Sequence, residues 1–268
     1  MGILDDLIDL LLPERCAGCG RQPVLLCDAC GRALRAPARP ARPAPAGLPP
    51  LWTVAAYEGP LRAILAAYKE RGRTSLAVPL GEALATSLQA ALAPGPDPPA
   101  IPAPPALRDT PALRDAPVVR DPLAVRGPPE VRDALPPGRP VSRTVTTVVW
   151  VPSGRRAVRR RGHDPLRGLV EAAVRRLRAD GVPLTMVDAL RQRGRVADQA
   201  GLTAGRRAAN LRGAIEARAD VAGRRVVLVD DVVTTGASLT EAARALRAAG
   251  ADITGAATLA ATPRRRPW

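Results

Sequence analysis

Residues 225–239, Arg-Val-Val-Leu-Val-Asp-Asp-Val-Val-Thr-Thr-Gly-Ala-Ser-Leu, constrain the fold more than any other stretch of the chain. Arg225–Val229 reads as a strand whose unbroken aliphatic run suits burial on both faces, as in a parallel sheet flanked by helices. Two adjacent carboxylates, Asp230 and Asp231, follow at its C-terminal end. In open α/β sheets ligands bind beyond the carboxyl ends of strands. Thr234, Thr235 and Gly236 then lead through Ala237 and Ser238 into a helix predicted over Ser238–Ala249 and closed by Gly250. Free backbone N–H groups, hydroxyls and the helix dipole at such a turn suit one phosphate. Gly236 lets the backbone approach the anion closely. Paired carboxylates accept hydrogen bonds from neighbouring sugar hydroxyls. They would repel the phosphate unless a ribose separates the two or a hard cation bridges them, and Mg²⁺ suits that role. The segment therefore asks for a ribose 5-phosphate. An ordinary strand–loop–helix capped by Thr235 or Ser238 is the alternative.

The rest of the pattern agrees with an α/β fold. Strands are predicted at Leu51–Tyr57, Val145–Val151, Leu184–Leu190 and Ile253–Ala260. Helices are predicted at Leu61–Glu70, Leu76–Leu92 and Pro165–Ala179, with a helical turn at Thr203–Leu211. Alternating strand and helix argue for a parallel sheet covered on both faces. Aromatics make up only 2% and Phe is absent, so the core must be built from Val, Leu, Ile and Ala.

Cys16, Cys19, Cys27 and Cys30 form two Cys-x2-Cys hooks. Four thiolates at that spacing suit a closed tetrahedral Zn²⁺ with no ligand position left for catalysis, so the metal is structural. The preceding residues 2–12 place Leu4, Leu7, Ile8 and Leu11 on one helical face. The expected organisation is an N-terminal helix and four-cysteine zinc unit at 1–35, an α/β domain at 51–93 and 144–263, and an insertion at 94–143.

That insertion holds half of the 30 prolines, and Arg108, Arg114, Arg120, Arg126 and Arg132 recur every six residues. Its apolar residues are too sparse for a core, so it reads as a disordered spacer. The net charge is +15, and all but one of the 40 basic residues are arginine; the exception is Lys69. Codon bias and a preference for anionic partners, nucleic acid included, both account for the skew. With no Gly-Lys pair there is no P-loop, and with only His163 there is no His-rich metal centre. No run of 18 apolar residues exists, so no membrane span is predicted. Asp5, Asp6 and Asp9 do not suit a signal peptide, which points to the cytoplasm, where thiols stay reduced.

The segment Val-Leu-Val-Asp-Asp-Val-Val-Thr-Thr-Gly-Ala-Ser resembles the phosphoribosyl pyrophosphate (PRPP) motif of type I phosphoribosyltransferases. The order of the other parts is similar to the ComF family of competence-associated phosphoribosyltransferase-like proteins. Those parts are the cysteine hooks, Tyr57-Glu58-Gly59-Pro60-Leu61-Arg62, the Val151-Pro152 strand end and Arg161-Gly162. The resemblance implies a type I phosphoribosyltransferase fold with a small zinc-ribbon-like unit. It also implies an activity: transfer of phosphoribosyl from PRPP, with Mg²⁺, to an acceptor that the sequence does not identify. A non-catalytic sensor of PRPP or nucleotide, or a module for DNA uptake or nucleic-acid binding, is the alternative on the same fold.

By resemblance, Asp230 and Asp231 contact the ribose hydroxyls and Thr234–Ser238 hold the 5-phosphate. Pro152, Ser153, Gly154 and Arg155 would bind pyrophosphate. Arg159, Arg160, Arg161, Gly162, His163 and Asp164 would form a flexible basic segment, whose arginines could stabilise charge on the leaving group. Where many relatives carry an aromatic and Asn-Gln, this chain has His163, Asp164 and Pro165. His163 is open to two readings, a phosphate contact or base and a surface histidine. Asp198-Gln199 and Arg206–Leu211 resemble the family's segment between the two loops.

Overall fold

The computed structural model describes residues 14–41, 47–93, 145–193 and 213–263, with residues 155–157 described in backbone only. All belong to one compact unit, Met1–Ala93 plus Thr144–Trp268. The expected N-terminal helix, the 94–143 insertion, and the segments around Asp198-Gln199 and Arg206–Leu211 lie outside the described residues.

A mixed sheet of six strands has the order β1-β2-β8-β7-β3-β4. Its members are β1 (Arg39–Pro40), β2 (Leu51–Ala56), β3 (Thr146–Trp150), β4 (Leu184–Met186), β7 (Arg225–Val233) and β8 (Asp252–Ala261). All pairings are parallel except β1 with β2. A short antiparallel pair, β5 (Leu190–Gln192) and β6 (Ile215–Ala217), stands apart. Successive strand residues face opposite sides. Val226, Val227, Leu228 and Val229 are all fully buried, so both faces of β7 are covered, as its unbroken apolar run predicts.

Helix α1 (Asp28–Gly31) closes the cysteine hooks, and α2 (Gly59–Glu70) follows β2. The buried face of α2 is Leu61, Ile64, Leu65 and Tyr68, the i, i+3, i+4, i+7 spacing of a helix on a core. Helix α3 (Ala77–Leu92) packs against α5 (Pro165–Ala179) and over β2 and β8. A Cβ on Gly81 would overlap Ala172, so glycine lets those two helices approach closely. Helix α4 (Arg155–Arg161) lies between β3 and α5, and α6 (Ala237–Ala248) packs on β6, β7 and β8.

Two strand expectations need correction. Leu184–Leu190 is not one strand: β4 ends at Met186, and residues 187–189 carry the chain out of the main sheet into β5. The strand predicted at Arg225–Val229 continues to Val233, because pairing with β8 persists through Val232↔Ala260 and Val233↔Ala261. Asp230 and Asp231 therefore sit within a hydrogen-bonded strand and take its rigidity.

Candidate active site

Strands β3 and β7 are parallel neighbours, with Trp150 paired to Val229. The chain leaves β3 towards β4 and leaves β7 towards β8, in opposite directions across the sheet. Such a divergence opens a crevice at the carboxyl ends of the two strands, a recurrent ligand position in α/β sheets. Pro152–Gly154 follow β3 and Thr234–Gly236 follow β7 at these carboxyl ends, and the Val151 N–H donates to the Val229 carbonyl at 2.9 Å.

Asp231 is buried and Asp230 half-buried. The Asp231 N–H donates to Asp230 Oδ1 at 2.9 Å, which fixes the first carboxylate against the strand. Burial, then repulsion from Asp231, holds the Asp230 carboxyl well above the usual carboxylate range. Beyond the acids the strand ends, and Gly236 adopts φ 79, a left-handed conformation that favours glycine. Gly236 is the N-cap of α6, and Thr235 Oγ1 accepts from the Ala237 N–H at 3.3 Å. Of the two capping candidates, Thr235 thus makes a local turn and Ser238 lies inside the helix. The expected phosphate turn and acid pair share one strand end.

The Pro152–Arg155 turn has its own fixings. Ser153 Oγ donates to Asp164 Oδ1 at 2.7 Å, and the same oxygen accepts from the Leu166 N–H at 3.2 Å. Asp164 is therefore the N-cap of α5, with Pro165 at its first position, a favoured arrangement. The side chain of Arg155 lies outside the described residues.

At 159–164, where a flexible basic segment is expected, the structure has the last turn of α4, a left-handed C-cap at Gly162 (φ 75) and the Asp164 cap. Arg160 and Arg161 both donate to Glu70, and the Arg161 side chain is largely buried. His163 is half-buried; its Nδ1 donates to the Arg161 carbonyl at 3.1 Å. Its buried Nε2 has no partner among the described residues.

A cavity of about 410 Å³ opens beside the turn. Its walls include Trp150, Ser153, Arg159, Asp188, Leu190 and Arg218. Its size is in the range of small-ligand pockets. Gln192 of β5 reaches the Pro152 carbonyl at 3.5 Å, and Arg218 pairs with Asp188, so the β5–β6 pair is docked onto the turn.

One site residue is missing from the sequence expectations. Lys69, in the last turn of α2, forms an ion pair with Asp231 Oδ2. Burial pulls its pKa down, but the carboxylate of Asp231, then Asp230, outweighs that and raises it. The signal was present: Lys69 is the one lysine among 40 basic residues.

The cysteines form a separate cluster whose four Sγ atoms all lie within 4.8 Å of one another. Cys16–Cys27 and Cys19–Cys27 separations are 3.6 and 3.7 Å. A tetrahedron with Zn–S bonds of about 2.3 Å has edges of roughly 3.8 Å, so the residues fit Zn²⁺. Cys16 Sγ accepts from the Cys27 N–H at 3.4 Å, a contact that favours thiolate. The cluster abuts the α/β body: a Cβ on Gly18 would lie 2.7 Å from Cys30 Sγ and 3.2 Å from Pro60.

With this geometry in place, comparison with known proteins places the fold. Residues 167–267 match the phosphoribosyl transferase domain. The matched part holds β7, the acid pair, the glycine turn and α6; the Pro152–Arg155 turn and the cysteines precede it. A 34-residue stretch is 65% identical to orotate phosphoribosyltransferase of Nocardioides sp., covering 13% of this chain and 19% of the relative. Another, of 37 residues, is 57% identical to orotate phosphoribosyltransferase of Pyrobaculum aerophilum, covering 14% and 19%. Over 40 residues the chain is 52% identical to adenine phosphoribosyltransferase of Mycobacterium avium, covering 15% and 22%. The chain spans about a fifth of the length of these curated relatives. The expected type I phosphoribosyltransferase fold, a largely parallel sheet flanked by helices, is the fold observed.

Proposed function

We propose that this chain binds PRPP with Mg²⁺ in the β3–β7 crevice and transfers its phosphoribosyl group to an acceptor. The observation that carries the reading is the rigid acid pair on β7, followed at once by a left-handed glycine and a helix N-terminus. Asp230 and Asp231 take the ribose hydroxyls. The backbone of Thr234–Ser238 holds the 5-phosphate, helped by the α6 dipole. Pro152–Arg155 receives the pyrophosphate. Arg159 of α4, which lines the cavity beside that turn, favours negative charge that develops on the leaving group.

Mg²⁺ would supply charge neutralisation between donor phosphates and sugar oxygens. The hard oxygens of Asp230 fit such an ion, since among the described residues that carboxylate has no ion-pair partner. The cavity beside the turn gives the acceptor a place. Relatives named for orotate and for adenine both match, so the shared segment supports the donor half of the site and leaves the acceptor open. The likeness to the ComF family, the cysteine unit and the +15 charge support a link to DNA uptake, in a reducing compartment where four thiols persist.

Calorimetric titration of PRPP with Mg²⁺ into the zinc-loaded protein tests the reading, alongside the Asp230→Asn/Asp231→Asn double variant. Binding that the variant loses supports it. A folded wild type that does not bind refutes it. Binding with no turnover on any acceptor moves the function to PRPP sensing.

A further inference from the structure

We propose that Lys69 is a positioning residue that holds the Asp231 carboxylate in the donor-free protein and yields it when a cation or the donor's hydroxyls arrive. The inference rests on the donor reading above and goes beyond it in assigning a release step to the site. Asp231 is a buried carboxylate next to a second carboxylate on the same strand. Like charges at that spacing disfavour joint ionisation unless a cation is close. Lys69 supplies that cation, with its side chain 29% exposed and that of Asp231 only 11%.

The contact is built by the residues on either side of Lys69. The Tyr68 hydroxyl donates to the Pro165 carbonyl at 2.9 Å, and Glu70 accepts from Arg160 and Arg161. Three consecutive residues thus tie the end of α2 to α5, to β7 and to α4. The stem of Lys69 is aimed at the acid by a frame that does not depend on the ion pair itself.

The choice of lysine is informative. Every other ion pair among the described residues uses arginine. A guanidinium is a planar fork that can grip both oxygens of a carboxylate. An ammonium is a single strongly hydrated point that contacts one oxygen, here Oδ2, and is readily exchanged for another donor. The one lysine stands where a contact has to be both present and breakable. A ribose hydroxyl or a divalent ion that reaches Asp231 must displace it.

Because Lys69 carries the chain's sole ε-amine, pulse acetylation read by peptide mass spectrometry reports on it directly. In the folded, zinc-loaded protein, Asp231→Asn should raise the acetylation rate of Lys69 about fivefold, the ratio equivalent to one lost ion pair of ~1 kcal/mol. MnCl₂ alone should raise the wild-type rate by a similar factor and leave the Asp231→Asn rate unchanged. Lys69→Arg should keep the melting temperature and weaken PRPP binding about tenfold, as the fork is harder to displace. Equal rates in wild type and Asp231→Asn, or no response of wild type to MnCl₂, overturn the assignment. If PRPP binds by calorimetry while Lys69 reactivity does not respond to MnCl₂, the release step falls and the donor reading stands. If PRPP does not bind, the donor reading falls, and the MnCl₂ response alone decides whether Lys69 guards Asp231.

Discussion

Tyr68 and Gly168 should show a strong, signed coupling in stability. Tyr68 is 2% exposed, and its hydroxyl donates to the Pro165 carbonyl in the first turn of α5. A Cβ added at Gly168 would lie 2.8 Å from that hydroxyl oxygen, closer than packing allows. Tyr68→Phe removes one buried hydrogen bond and should lower stability by about 1 kcal/mol. Gly168→Ala brings the alanine advantage of about 1 kcal/mol within a helix. In wild type that gain is offset, because the hydroxyl must move and give up its acceptor. In the Tyr68→Phe background the obstructing atom is gone, and Gly168→Ala should stabilise by the full ~1 kcal/mol.

The coupling energy is therefore about 1–2 kcal/mol, with the double variant more stable than additivity predicts. Thermal melts followed by circular dichroism resolve it, at roughly 2–4 °C per kcal/mol for a domain of this size. A change on Gly168→Ala that is the same in both backgrounds would refute the reasoning.

Three further outcomes follow from the site. Asp230→Asn should raise the melting temperature at pH 7–8 and lose that advantage near pH 4: the wild-type carboxyl has a raised folded pKa, so its stability is lost as pH rises from the unfolded value through the folded one. Melts of both proteins across that range check it, and a constant gap would contradict the shift. Gly236→Ala places an L side chain at φ 79 and should cost about 1–2 kcal/mol as well as weaken phosphate binding, measured by urea unfolding and by calorimetry with ribose 5-phosphate. Chelation with a strong zinc ligand and a colorimetric dye should release one metal per chain and expose four titratable thiols, with a lowered melting temperature because the cluster abuts Pro60 at the start of α2.

The elements were legible where a local pattern decides them. Pro165–Ala179 is legible from proline at the first helical position. The β7 strand and its turn follow from an aliphatic run, two acids and a glycine. What the sequence did not disclose is long-range partnership. Arg160 and Arg161 look like part of a basic run until Glu70, some 90 residues earlier, is placed beside them. Asp164 reads as part of a ligand loop, yet its carboxylate is spent on Ser153 and the Leu166 N–H. Lys69 lies on no motif; only its singularity among arginines marked it. The acid pair marks an end of β7 at Val229 in the sequence, whereas hydrogen bonding to β8 carries the strand through Val232 and Val233.

The pairing of β2 with β8 sets an order of events during synthesis. Thr258 Oγ1 reaches the Trp52 carbonyl across 206 residues of sequence. Strand β2 emerges from the ribosome early and waits with its main sheet edge unfilled until β8 has been made. The cysteine hooks need only residues 16–30 and can close around a metal at once. A metal-closed knuckle abutting Pro60, just after β2, would then be in place long before the strand's last partner arrives. Such separation slows the closing of this sheet edge, since the loop-closure cost comes before the non-local contact forms.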